Sequence, residues 1–238
     1  MIGPLVNASA IILGSGIGAL FGDKVPERLQ TRMPVVFGLA SMGLGIAMMG
    51  KVQLLAAVIL ALLIGSTLGE LIQLEERIKG FAGLLKHGMG KISSPPDSTM
   101  HHHDYMDKFI SVLILFCVSS TGVFGAINEG VTGDPSLLIV KSFLDLFTAT
   151  IFAIRLGLPV AMLAIPQCLI QLILYFSANA IMPLTTPEMI ADFSAVGGLV
   201  MLATGFRICG ILTYPVANMI PALILAMPVS ALWGYFVL

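Results

Sequence analysis

Within the apolar stretch from Ser136 to Arg155, four polar side chains, Lys141, Asp145, Thr148 and Arg155, stand four, three and seven residues apart. On an α-helix that spacing puts all four on one stripe, with Phe152 in the remaining place. Pro135 fits a helix start, and the 20 residues from Ser136 would run about 30 Å as helix, enough to cross a bilayer. Asp145 then sits roughly 14 Å along the helix, near the midplane, where insertion of an ionised carboxylate costs about 2.5–3.5 kcal/mol. Two chemistries are open to it. Lys141 and Asp145 can close an ion pair along the helix and hold a bundle together. Alternatively, the stripe can line a path for a solute, an ion or a proton, the usual role of ionisable groups at this depth. In both cases it is expected to face protein or water, never lipid.

The preceding stretch, STGVFGAINEGVTGDP, sets Gly122, Gly125, Gly130 and Gly133 around Asn128, Glu129 and Asp134. Each glycine lowers helix stability by about 1 kcal/mol against alanine, so the segment is expected to unwind early or re-enter the membrane. As a discontinuous helix it would offer Ser120, Thr121, Asn128 and Glu129 as solute ligands; as an ordinary external turn it would offer only flexibility. Asn7, Glu70, Asp192, Arg207 and Asn218 are secondary candidates near span ends, where a polar residue taken singly is more often an anchor or a packing hydrogen bond. His101, His102 and His103 resemble a metal-binding tract, yet no second ligand set accompanies them, so no metal site is assigned. GSGIGA in the first span matches a dinucleotide fingerprint only nominally, lacking a strand before it. Ala10, Gly14, Gly18 and Gly22, four apart, read better as a face for close helix packing.

Residues of this kind need a bilayer around them, and the composition supplies the reason to expect one. Of 238 residues, 57% are hydrophobic and 11% charged, with a mean hydropathy of +0.99, too apolar for a soluble domain. The chain is expected to be all-α, a polytopic membrane helix bundle. A net charge of −1 without a Lys/Arg block gives no support for nucleic-acid binding. Cys117, Cys168 and Cys209 are isolated in apolar segments and read as small core residues. The opening MIGPLVNASAIILG lacks the positive region of a secretory signal and is expected to stay as the first span.

Hydropathy predicts about eight spans, near 4–22, 33–50, 53–72, 109–127, 136–155, 158–182, 194–212 and 217–237. The long loop after the third opens with LEERIKGFAGLLKHG, which places Leu74, Ile78, Phe81 and Leu85 on one face and Glu75, Glu76 and Lys79 elsewhere, a helix for the membrane surface. On this layout ten of the twelve Lys and Arg fall on or nearest the side opposite the N-terminus, with Lys51 on the N-terminal side and Lys141 inside a span. That bias makes the loop cytoplasmic and both termini external. Glu129, Asp134, Glu188 and Asp192 then form an acidic outer surface that would attract cations.

AVILALLIGSTLG (Ala57 to Gly69) and ALILAMPVSALWG (Ala222 to Gly234) share five identities at a constant offset, and both place small residues every four positions: Ala57, Ala61, Gly65 and Gly69 against Ala222, Ala226, Ser230 and Gly234. GLASMGLG (Gly38 to Gly45) and GLVMLATG (Gly198 to Gly205) echo the relation more weakly. Spans one to three would thus repeat as six to eight, displaced by five and so inverted, a recurrent transporter design. The expected organisation is 3+2+3: repeat 1 over residues 1–72, a cytoplasmic loop over 73–108, a central polar helix pair over 109–155 and repeat 2 over 158–238.

FGLASMGLGI, STGVFGAINEGVTGDPSLLIVKSFLD, ADFSAVGGLVMLATGFRICGI and NMIPALILAMPVSAL together resemble the YqgA/YdfK-like family of bacterial integral membrane proteins, catalogued as a domain of unknown function, over nearly the whole chain. The resemblance implies a bacterial inner-membrane protein of a kind often labelled a transporter, and it supplies no substrate and no site residues. From the residues themselves, a secondary transporter or channel for a small polar solute or cation is expected. Its path would run between the repeats and the central pair, lined by Ser120, Thr121, Asn128, Glu129, Lys141, Asp145 and Thr148. The alternative is a non-transporting scaffold or assembly partner, whose small-residue faces would also suit a homo-oligomer. No catalytic constellation converges inside the spans, so no enzyme and no cofactor are expected; the partners are the lipid bilayer and a small solute or ion.

Overall fold

The computed structural model describes residues 1–24, 26–78, 80, 105, 109, 112–113, 115–117 and 119–237. Its helices with defined ends are α1 (Ile2–Phe21), α2 (Glu27–Met49), α3 (Leu55–Leu71), α4 (Ser120–Thr132), α5 (Ser136–Leu156), α6 (Ala164–Ile181), α7 (Pro187–Ile208) and α8 (Ile220–Val237), with no strand among the described residues. The 3-10 segments Leu158–Leu163 and Val216–Met219 lead into α6 and α8. Ile2–Phe21, Ser136–Leu156, Leu158–Ala180, Pro187–Ile208 and Val216–Phe236 are each long and apolar enough to cross a membrane. Val35–Met49 and Leu55–Leu71 are shorter apolar helices. The all-α, membrane-type fold expected from composition is the one observed.

Three local expectations change. The glycine-rich segment does not unwind early: it is helical to Thr132, and the interruption falls before it, at Ser119, whose backbone is extended (φ −57°, ψ 121°). Serine side chains compete for backbone hydrogen bonds, which suits the Ser119–Ser120 pair to a break. The internal glycines instead permit contact, since a Cβ on Gly125 would stand 2.8 Å from Leu138 Cδ2. Gly133 then ends the helix in the left-handed region (φ 74°), its N–H donating to the Glu129 carbonyl at 2.8 Å. The helix expected near residues 194–212 starts earlier, at Pro187, because Thr186 caps α7 and the buried Asp192 lies inside the helix, where its polarity lowers the apparent hydropathy. In the surface-helix stretch, residues 74–78 are helical, but Glu75 is buried and not solvated; Lys79 and residues 81–104, including His101 to His103, lie outside the described residues.

The chain forms two compact units, Met1–Arg32 with Arg77–Phe176, and Met33–Glu76 with Ser177–Leu238. In the first, α1 and α5 run parallel in close contact. Added Cβ atoms on Gly14 and Gly18 would collide with the carbonyl oxygens of Leu146 and Thr150, and one on Gly22 would meet Ile154 at 3.0 Å. Beside this seam Ile11, Ala149, Ala153, Leu156 and Leu163 pack with Tyr105, Phe109 and Phe116, and the Tyr105 hydroxyl donates to the Leu156 carbonyl at 3.2 Å.

In the second unit α2 lies antiparallel to α7. A Cβ on Gly45 would come 2.5 Å from the Gly198 carbonyl oxygen and one on Gly198 2.6 Å from that of Gly45; Gly38 and Gly205 face each other likewise at 2.9 and 2.6 Å. Between them the Ser41 hydroxyl donates to the Met201 carbonyl at 2.9 Å. α3 and α8 are also antiparallel, with Gly65 on Ala222 and Gly69 on the backbone of Asn218. The small-residue faces anticipated at Ala57, Ala61, Gly65 and Gly69 and at Ala222, Ala226 and Ser230 are buried, whereas Gly234, the last of that series, is only half-buried.

The α1 glycines give a matched test. Gly14→Ala should lower stability by about 1–3 kcal/mol through overpacking against the Leu146 backbone. Gly16→Ala, which has open space around it, should hold or gain up to about 1 kcal/mol from helix propensity. Thermal unfolding of the two purified variants in detergent checks the difference.

Candidate functional site

Lys141 and Asp145 are both buried on α5 and form an ion pair across one helical turn. The stripe they occupy continues through Ala149 and Ala153. Thr148 is only half-buried, its hydroxyl spent on the Leu144 carbonyl at 2.8 Å, and Arg155 is exposed at the helix end. The Lys141 and Asp145 part of the stripe therefore faces protein, as expected, and the part that carries Thr148 and Arg155 is rotated away.

The ion pair lies against the start of α4. A Cβ on Gly122 would stand 2.9 Å from Lys141 Cε and 3.3 Å from Gln171 Nε2, so glycine lets both side chains lie on the first turn of the helix. Ser119, at the N-cap, contributes no side-chain cap. Thr121 is buried in that first turn, and Ser120 begins the helix, though its side chain lies outside the described residues. Gln167 and Gln171, one turn apart on α6, are 0% and 2% exposed, and Asn7 on α1 is 0% exposed beside the Asp145 carboxylate. None of the four amide atoms of Gln167 and Gln171 completes a hydrogen bond among the described residues, and the Asn7 amide is turned to the Asp145 carboxylate. Leaving such a group unsatisfied costs about 1–3 kcal/mol. The first unit thus brings together one ion pair, a helix start without a side-chain cap and the Gln171 amide with donor and acceptor to spare, with Asn7 beside Asp145 and Gln167 one turn from Gln171. Gln167 and Gln171 were not among the residues singled out from sequence, although two glutamines four apart in AIPQCLIQLIL carry the same signal that marked Lys141 and Asp145.

The remaining candidates go elsewhere. Glu129 is buried and accepts from the backbone N–H groups of Ile2 (2.9 Å) and Gly3 (3.1 Å), capping α1. Asn128 is buried with its amide turned to Thr132 Oγ1 at 3.4 Å. Asp192, also buried, accepts from the N–H groups of Gln53 and Leu54 at 2.9 Å each and from the Ser230 hydroxyl at 2.7 Å, closing the start of α3. Arg207 makes a two-pronged bond to Glu75 at 2.7 and 2.8 Å, and Glu75 also accepts from the N–H of Ala217 at 3.3 Å. Asn218 accepts from the N–H of Glu75 and donates to Glu70, both at 2.7 Å. The acidic outer surface is correspondingly reduced. Of its four carboxylates Glu129 and Asp192 are buried at helix starts, where N–H groups and the helix dipole hold an anion, leaving Asp134 and Glu188 exposed. Among the described residues no three His, Cys, Asp or Glu assemble as a metal-ligand set.

These helices, with large apolar side chains exposed along them and Lys141 and Asp145 paired and buried, are those of a helical integral membrane protein. The chain belongs to the family described as protein of unknown function DUF554, whose model matches residues 2–231. It is 50% identical over 237 residues to "Uncharacterized protein YqgA" of Escherichia coli (strain K12), covering 98% of this chain and 97% of that one. It is 26% identical over 231 residues to "Uncharacterized membrane protein YdfK" of Bacillus subtilis (strain 168), covering 94% and 93%. No solved structure matches.

Breaking the ion pair separates its structural from its functional share. Asp145→Asn strands a buried ammonium and should cost about 3–5 kcal/mol in thermal unfolding, whereas Lys141→Met/Asp145→Leu removes both charges and should recover most of that loss.

Proposed function

We propose that this protein is a secondary transporter or channel for a small polar solute or cation, with its solute site at the first turn of α4. One observation carries the reading: a helix start with no side-chain cap meets a buried ion pair and the buried Gln171 amide, which has no partner among the described residues. Broken helices that present their backbone ends to a polar site are the common way for membrane transporters to hold a solute. Lys141, Asp145, Thr121, Gln171, Gln167 and Asn7 are the lining residues in this reading. Ser120 is retained from sequence, and Glu129, Asp192, Glu75 and Arg207 serve the scaffold. A non-transporting scaffold is the competing reading, favoured by the closure of Lys141 on Asp145. No enzymatic role and no cofactor enter either reading.

The proposal includes eight crossings in a 3+2+3 order with inverted three-helix repeats, in a bacterial inner membrane with both termini periplasmic. Three relations support it. With eight crossings the first and fifth spans share a direction while the second and seventh, and the third and eighth, oppose each other; α1 and α5 are parallel, and α2/α7 and α3/α8 antiparallel. In the repeat alignment Gly38 corresponds to Gly198 and Gly45 to Gly205, and the contacts Gly38 with Gly205 and Gly45 with Gly198 exchange under that correspondence, as a two-fold axis requires. The Lys/Arg asymmetry supports the orientation.

Two cysteine experiments in a background lacking Cys117, Cys168 and Cys209 test this. A small hydrophilic thiol reagent should reach Thr121→Cys, and an unreactive, folded Thr121→Cys would favour the dry scaffold. Ser98→Cys should resist an impermeant reagent in intact cells and react once the membrane is opened; labelling in intact cells would reverse the orientation.

A further inference from the structure

The solute class follows from charge balance, granted that the first turn of α4 is a solute site. We infer that this site takes a small zwitterion carrying a carboxylate and an ammonium a few bonds apart, the chemistry of an α-amino acid. Lys141 and Asp145 are buried and neutralise each other. A lone cation drawn to Asp145 would leave the Lys141 ammonium buried without a partner, and a lone anion drawn to Lys141 would strand the carboxylate. A zwitterion inserted between them exchanges one internal pair for two, its carboxylate on Lys141 and its ammonium on Asp145, so no charge is left unmatched.

The surroundings are polarised in the same sense. Lys141 Cε lies on the first turn of α4, as the 2.9 Å approach to the Gly122 Cβ position shows, and that helix start has no side-chain cap. The leading N–H groups of a helix have no partner within it and favour an anionic group, so they add to the carboxylate's seat. Gln171 places its amide at the same turn, 3.3 Å from the Gly122 Cβ position. At the other end the Asn7 amide N–H is turned to Asp145, which leaves its carbonyl oxygen to accept from an ammonium without adding charge. Gln167, one turn from Gln171, has both a donor and an acceptor unused. A neutral amide could occupy the glutamines, but it would use neither the ion pair nor the helix end.

Thermal unfolding of the purified full-length protein in detergent tests the inference, with the standard amino acids compared against sodium acetate, ammonium chloride, sodium chloride and acetamide. At least one amino acid should raise the melting temperature saturably, and the four comparison compounds should not. Gln171→Leu removes an unsatisfied amide and should fold with equal or higher melting temperature, yet weaken the amino-acid response by roughly tenfold or more. An undiminished response in Gln171→Leu overturns the assignment. A response to acetate, ammonium, sodium or acetamide with none to amino acids overturns the zwitterion and leaves the transport reading standing. No response to any compound overturns the zwitterion as well, and if Thr121→Cys is also unreactive the path itself falls.

Discussion

Each unit is held together where one backbone comes down directly on another, and glycine is the condition for that contact. At Gly14 and Gly18 the α1 backbone rests on α5 carbonyls, and at Gly38, Gly45, Gly198 and Gly205 two glycine-bearing helices rest on each other. In lipid there is little hydrophobic force to press helices together, so dispersion at short range must do so, and it grows only when backbones approach closely. Lys141 and Asp145 are buried because α5 has its Ala149 and Ala153 side committed to packing, and the rest of that stripe can only continue into the protein.

Carboxylates do the second share of the work, and they do it as ends of helices rather than as a surface. Glu129 covers the start of α1, Asp192 that of α3, and Glu75 the turn that leads into α8. A helix start leaves N–H groups that lipid cannot satisfy, so an acidic side chain brought from another helix meets a need that water would meet in a soluble protein.

Helix type and nearly all helix positions were legible because apolar runs of bilayer length leave little else to form, and the small-residue periods of four at Gly14, Gly18, Gly65 and Gly69 pointed directly to the seams. Polar residues were harder to place. Nothing local distinguishes Glu129 and Asp192 as caps, since their partners are backbone groups more than a hundred positions away in sequence. Glycine in STGVFGAINEGVTGDP was ambiguous for a physical reason: the absent side chain that destabilises a helix in isolation is what lets Lys141, Gln171 and Leu138 approach it. Propensity counted the first effect and packing decided. Lys141 and Asp145 were the legible part of the site because a period of four lies within one segment, while the convergence of Asn7, Gln171 and the α4 start is tertiary and left only the paired glutamines as a trace.

The ion pair has a consequence for biosynthesis. Lys141 and Asp145 lie on the same helix, so they can neutralise each other as soon as that turn forms, before α6 with its glutamines has left the ribosome. α5 can thus enter a bilayer as a dipole rather than as two separate charges. Partners synthesised afterwards then assemble around a pair already in place. The order in which the chain is made matches the order in which its most polar interior can tolerate lipid.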